Sequence, residues 1–73
     1  MTAIRAIREK RGLTQVMLAA EIGVTQPAIA MWEAGDRKPD IITLKRIATV
    51  LQCTTDELLS PIDLDDFELK KEG

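Results

Sequence analysis

The chain has 73 residues, 45% hydrophobic and 30% charged, which suits one small domain with enough apolar residues for a core. A single Cys and no His exclude an internal disulfide and leave a zinc site short of ligands, and no apolar run reaches the ~20 residues that span a bilayer. The net charge of −2 is unevenly spread: residues 1–60 hold eight Lys/Arg against seven Asp/Glu, whereas residues 61–73 hold two against five, so the acidity lies in the tail.

Residues 2–11 are predicted to form the first helix. Ala3, Ile4, Ile7 and Arg11 fall at helical spacing, and the residue types are good helix formers. Thr2 is the expected N-cap, and Gly12 stands where a terminating glycine belongs, after the basic last turn of Lys10 and Arg11. Thr14 caps a second helix, with Leu13 placed to staple onto Leu18. Leu18, Ala19 and Ile22 form its buried stripe, and Gly23 ends it with an expected positive φ. Val24 faces inward and Thr25 caps a third helix. Pro27 lies in its first turn, where a missing N–H costs little. Ile29 and Trp32 are the apolar stripe of this helix, which stops near Gly35.

After a polar loop from Asp36 to Pro39, Asp40 caps a fourth helix. Its Leu44, Ile47, Ala48 and Leu51 repeat at i, i+3, i+4 and i+7, the cleanest amphipathic pattern in the chain. Thr54 and Glu57 have capping-box spacing and open a short fifth helix with Leu58 and Leu59, closed by Pro61. Cys53 reads as a small buried hydrophobe. Residues 61–73 form an acidic tail. Ile62 and Leu64 alternate with acids as in a strand, Leu64 and Phe67 are spaced as in a helix, and the segment reads either as disordered or as packed on another subunit.

The stretch Gln15–Ala34 has the residue types that two steeply crossing helices need. Ala19 is the small residue at the crossing, Gly23 is the turn glycine four residues later, and Leu18, Ile22, Val24, Ile29 and Trp32 are the apolar frame. Each is common alone; together they specify a helix-turn-helix. The wider segment Gly12-Leu13-Thr14-Gln15, Leu18-Ala19, Gly23-Val24, Ile29, Trp32-Glu33, Gly35, Pro39, Leu44, Ile47-Ala48 and Leu51 resembles the Cro/CI (Xre-type) repressor family, over residues 3–59. The resemblance implies an all-α fold: a compact five-helix, lambda-repressor-like DNA-binding domain over residues 1–60, with helices 2 and 3 as the helix-turn-helix. It also implies binding to operator DNA as a dimer, without a cofactor. The third helix then enters the major groove and the second lies across the backbone.

Carried over residue by residue, the resemblance gives Gln15 a phosphate contact at the start of the second helix. Gln26, in the first turn of the third, is the best base reader, because a glutamine amide pairs with adenine N6 and N7. Ala28 and Met31 are candidate apolar base contacts, suited to thymine methyls, with Ala30 near them. Relatives often carry polar side chains here, and Pro27 stands where some have a second base-reading glutamine. Few direct base hydrogen bonds and more reliance on DNA shape are therefore expected. Thr25, Arg37, Lys38 and Arg5 are the further candidate phosphate contacts, while Lys10, Arg11, Lys45 and Arg46 read mainly as solvated faces. Arg8 and Glu33 correspond to a partly buried structural ion pair of the family. Trp32 reads as a core anchor, because its spacing from Ile29 points it inward.

Three function classes compete. The leading one is a sequence-specific, cytoplasmic transcriptional regulator of double-stranded DNA, of the phage-repressor or controller kind. It would act as a homodimer joined through Leu58, Leu59, Ile62, Leu64 and Phe67 on a pseudo-palindromic operator. The alternative is a protein-interaction module, antitoxin- or anti-repressor-like, that uses the same fold through the apolar side of the third helix or the tail. An enzyme is disfavoured: the chain offers no His, no nucleophile–base pair and no phosphate-cradling glycine loop. No metal, membrane or small-molecule substrate is expected.

Overall fold

The computed structural model describes residues 1–59. Among them are five helices and no strand: α1 (Thr2–Lys10), α2 (Gln15–Ile22), α3 (Gln26–Ala34), α4 (Ile41–Leu51) and α5 (Thr55–Leu58). No helix among the described residues is long and apolar enough to cross a membrane.

Local chemistry accounts for most of the boundaries. Four helices start on a side chain that accepts a hydrogen bond from a backbone N–H of their own first turn. Thr14 accepts from Met17 at 3.1 Å, Thr25 from Ala28 at 3.4 Å, and Asp40 from Thr43 at 2.7 Å. Thr54 and Glu57 bond reciprocally as a capping box. The first helix departs from expectation: Thr2 is already helical and Met1 occupies the N-cap, without a capping side-chain bond. The Met1 ammonium donates instead to the Trp32 carbonyl at 2.8 Å, which ties the start of α1 to the last turns of α3. At the other ends, Gly23 closes α2 at φ 76° and Gly35 closes α3 at φ 85°. Gln52 closes α4 at φ 56°, in the left-handed region that residues with a Cβ seldom enter.

Periodicity and burial agree along the chain. Ile4, Leu18, Ile29, Leu44, Ile47, Leu51 and Leu58 are fully buried, so every helix contributes at least one core side chain. Each such burial is worth about 1.5–3 kcal/mol. The third helix packs on α1 and α2; α4 packs on α2, and α5 on α1 and α4. This leaves α3 braced from behind, with its far side toward solvent.

One expectation is corrected. Leu58 lies wholly inside the core and has no surface to offer a second subunit, because the single turn of α5 packs against α1 and α4. Arg11 is exposed, as a solvated face would be, and its guanidinium also donates to the Leu51 carbonyl at 2.8 Å and the Gln52 carbonyl at 3.1 Å. There it caps the C-terminal end of α4, where unpaired carbonyls favour a cation.

Candidate nucleic-acid interface

Two glycine-ended helices set the geometry. Gly23 allows the chain to reverse sharply after α2, and the Val24 N–H closes the turn by donating to the Ala19 carbonyl at 3.0 Å. Ala19 is itself buried. Helix α3 then buries Ile29, Trp32 and Glu33 and exposes Gln26, Pro27 and Ala34. Ala30 and Met31 are half-buried at the edges of that exposed side. Ala28 is also half-buried but packs against the core. Of the two expected apolar contacts, Met31 therefore borders the open face, and Ala28 has turned partly away from it.

The main feature of the site is a chain of polar groups leading from the interior to that face. Arg8 and Glu33 form a buried two-pronged ion pair, Nε to Oε2 at 2.6 Å and Nη2 to Oε1 at 3.1 Å. Arg8 Nη1 also donates to the Leu13 carbonyl at 2.8 Å, which fixes the turn before α2. Glu33 Oε1 accepts from Gln15 Nε2 at 3.0 Å. Gln15 Oε1 in turn accepts from Gln26 Nε2 at 2.8 Å, at the surface. Burial alone pushes the Glu33 carboxyl pKa up. The hydrogen bonds from Arg8 and Gln15, with the charge of Arg8, outweigh it and hold the carboxyl below its ordinary value. The ionised form is thus the resident one at neutral pH.

The remaining candidates lie around this chain. Thr25 is exposed, with its hydroxyl oxygen engaged as the α3 cap. Arg37 and Lys38 are exposed in the loop that follows α3. Arg5 is exposed on α1, 3.6 Å from Glu9 one turn on, and lies near Gln15, Ala30 and Ala34 in a shallow depression. Leu59 is half-buried against the core, whereas Ile62, Leu64 and Phe67 lie outside the described residues.

Sequence reasoning missed two features. The Gln15–Gln26 bond joins residues eleven apart whose helices meet only after the turn has formed. Among the described residues, the large exposed apolar side chains are Val16 and Met17 on α2 and Ile41 and Ile42 on α4, not residues of α3. The signal that finds the Ile41–Ile42 pair is a count of apolar residues on each helix face, since Leu44 and Ile47 already fill the core stripe.

Comparison with known proteins gives a consistent result. A helix-turn-helix family model matches residues 4–58. The uncharacterized HTH-type transcriptional regulator YqaE of Bacillus subtilis is 38% identical over 56 residues, covering 77% of this chain and 48% of that protein. The HTH-type transcriptional activator BcrR of Enterococcus faecalis is 38% identical over 61 residues, 84% of this chain and 30% of its own length. Repressor protein C2 of Salmonella phage P22 is 38% identical over 56 residues, 77% of this chain and 26% of its own length. The chain thus spans about half or less of each of these three relatives. No solved structure matches it significantly.

Proposed function

The chain belongs to the helix-turn-helix family of the Cro/CI (Xre) type, and on that premise we propose that it is a sequence-specific DNA-binding transcriptional regulator. The observation that carries the proposal is Gln26: exposed in the first turn of α3, beside the start of α2, on a helix whose opposite face is locked into the core. In this reading α3 enters the major groove and Gln26 meets a base edge, with Met31 in apolar contact nearby. The N-terminal turn of α2, with the Gln15 side chain and the backbone amides at its start, lies against phosphate, and so do Thr25, Arg37, Lys38 and Arg5. One nine-residue helix reads few base pairs, so the protein acts as a homodimer on two half-sites about 10 bp apart.

The relatives include one named an activator and another named a repressor. What the chain shares with both is the helix-turn-helix segment, 30% of the one and 26% of the other, so the shared part does not set the direction of regulation.

Selection of bound sequences from random DNA, followed by binding titrations in increasing salt, tests the reading. A pseudo-palindrome is expected, with log affinity falling linearly in log salt by about 0.9 per phosphate neutralised. Gln26→Ala combined with Arg37→Ala should weaken operator binding at least tenfold and flatten that slope by about one. Unchanged affinity and slope in the double variant would remove α3 from the interface. Absence of any salt-dependent DNA binding would favour a protein-interaction module instead.

A further inference from the structure

One surface of the fold serves neither the core nor the face of α3. It is an apolar groove between α2 and α4 with a volume of about 440 Å³, in the range of ligand sites. Ile22, Ile42 and Val50 supply its apolar lining. On α4, Ile42, Lys45 and Arg46 repeat at i, i+3 and i+4, a second stripe beside the one that fills the core. Ile42 is 69% exposed, and Lys45 and Arg46 are exposed beside it. Among the described residues neither cation belongs to an ion pair. Of the described residues that line the groove, Glu21 is the only acid, and Asp40, which feels the charge of Arg46, is engaged as the α4 cap. The groove is therefore apolar with positive charge to spare, and its complement is an apolar segment that brings acids with it. We propose that it receives the chain's own acidic segment, with Ile62, Leu64 and Phe67 on the apolar lining and the neighbouring aspartates beside Lys45 and Arg46.

Three observations favour this occupant. The first is composition: Ile62-Asp63-Leu64-Asp65-Asp66-Phe67 interleaves apolar and acidic residues, and residues 61–73 carry a net charge of −3. Acids held along α4 lie well within the Debye length of about 10 Å from Lys45 and Arg46 at 0.1 M salt. The second is reach. Helix α5 packs on α4, and Leu59 just after it packs on the same core as Val50. The three residues from Leu59 to Ile62 span up to ~10 Å, about the diameter of a helix, which brings Ile62 to the Val50 end of the groove. An extended run from Ile62 to Phe67 then covers ~17 Å, enough for the ~12 Å of α4 between Val50 and Ile42. Phe67 thus arrives at Ile42. The third is the tether. A short link keeps the segment at an effective concentration in the millimolar range, so it prevails over an untethered segment of the same chemistry, including that of a second copy. The docking does not depend on how α3 meets DNA.

Nuclear Overhauser effects in the full-length protein test it. Phe67 is the only phenylalanine in the chain, so cross-peaks from its ring are unambiguous. They are expected to the methyl groups of Ile42, within one chain. Ile42→Asp adds a repelling charge at an exposed position and should abolish them, with the helical circular dichroism unchanged. Lys45→Glu with Arg46→Glu should abolish them at low salt, and adding Asp63→Lys with Asp65→Lys should bring them back. Failure of the swap to restore them overturns the charge pairing on which the assignment rests. Cross-peaks that survive Ile42→Asp place Phe67 elsewhere and overturn the proposal, as does their absence from the wild type. Cross-peaks seen only between labelled and unlabelled chains in a mixed sample overturn it in favour of a second copy.

Discussion

Arg8 and Glu33 are charged residues placed where most side chains are apolar, and their surroundings decide whether that placement is tolerable. Removing two charges from water costs several kcal/mol per ion, so the attraction between them needs support from further hydrogen bonds. The Leu13 carbonyl and the Gln15 amide supply those bonds. Removing one partner strands the other: Glu33→Leu should cost about 3–5 kcal/mol, whereas Arg8→Met with Glu33→Leu should be near neutral. Acid does by protonation what Glu33→Leu does by mutation. The folded-state pKa of Glu33 is lowered, and so are those of Asp40 and Glu57, through their bonds to Thr43 and Thr54. A lowered folded pKa means stability that is fully present above the unfolded value and lost as pH falls through the folded one. The melting temperature should therefore hold near neutrality and fall below about pH 4. Thermal melts from neutral pH into acid should show a shallower decline in the apolar double variant, with Asp40 and Glu57 keeping the remainder. An equally steep decline would remove the pair as the cause. Residue chemistry also shows what could be read in advance. Arg8 and Glu33 stood out as charged residues at positions matching a family ion pair. Arg11 did not, because its partners are backbone carbonyls forty residues away, and a carbonyl has no residue type to search for.

At the scale of the helices, start signals were readable and stop signals only partly so. Thr14, Thr25, Asp40 and Thr54 each bond within their own first turn, so the information is local and the residue types announce it. Thr2 had the right type in the wrong place: the chain is already helical there, and Met1 takes the cap position. Gly23 combined type and place, and a Cβ built on it would meet nothing within 4 Å. Its value is thus its φ of 76°, not the space it leaves. Gln52 has a similar conformation without the residue type that signals it, which is why the end of α4 was not legible. Left-handed backbone costs a residue with a Cβ about 1–2 kcal/mol. Gln52 bonds through its backbone, its N–H donating to the Thr49 carbonyl and its carbonyl accepting from Arg11, and a substitution would preserve both. Gln52→Gly should therefore stabilise the domain by about 0.5–1 kcal/mol after allowing for the greater freedom of unfolded glycine. In a domain of this size that is a rise of a few degrees in melting temperature, read by circular dichroism. A fall would mean that the Gln52 side chain contributes more than its backbone conformation costs.

For the molecule as a whole, burial and charge distribution divide the labour. The framework of α1, α2, α4 and α5 holds α3 by its inner face, and the amphipathic pattern of α4 made most of that framework legible. Leu58 shows the limit of such patterns: a one-turn helix has no period, so an apolar residue in it reads equally as core or as interface, and only packing against α1 and α4 decides. Charge is legible in full because it needs no fold. Residues 1–60 carry a net charge of +1 and residues 61–73 a net charge of −3, so a slightly basic body is joined to an acidic segment. Like charges repel across a Debye length of about 10 Å at 0.1 M salt. Acidic residues joined to a DNA-binding body therefore oppose its approach to phosphate wherever they come that close, and the opposition fades as salt rises. Converting Asp63, Asp65, Asp66, Glu68 and Glu72 to their amides keeps chain length and shape while removing five negative charges. Affinity for non-operator DNA should then rise several-fold at about 50 mM salt and converge with the wild type near 0.5 M, where the Debye length is only a few Å. Operator affinity should rise less in proportion, because base contacts add a part that salt does not screen. The amide variant would therefore bind more tightly and discriminate less, which competition between operator and random DNA measures. Equal affinities at low salt would show that the acidic segment stays beyond electrostatic reach of the bound DNA.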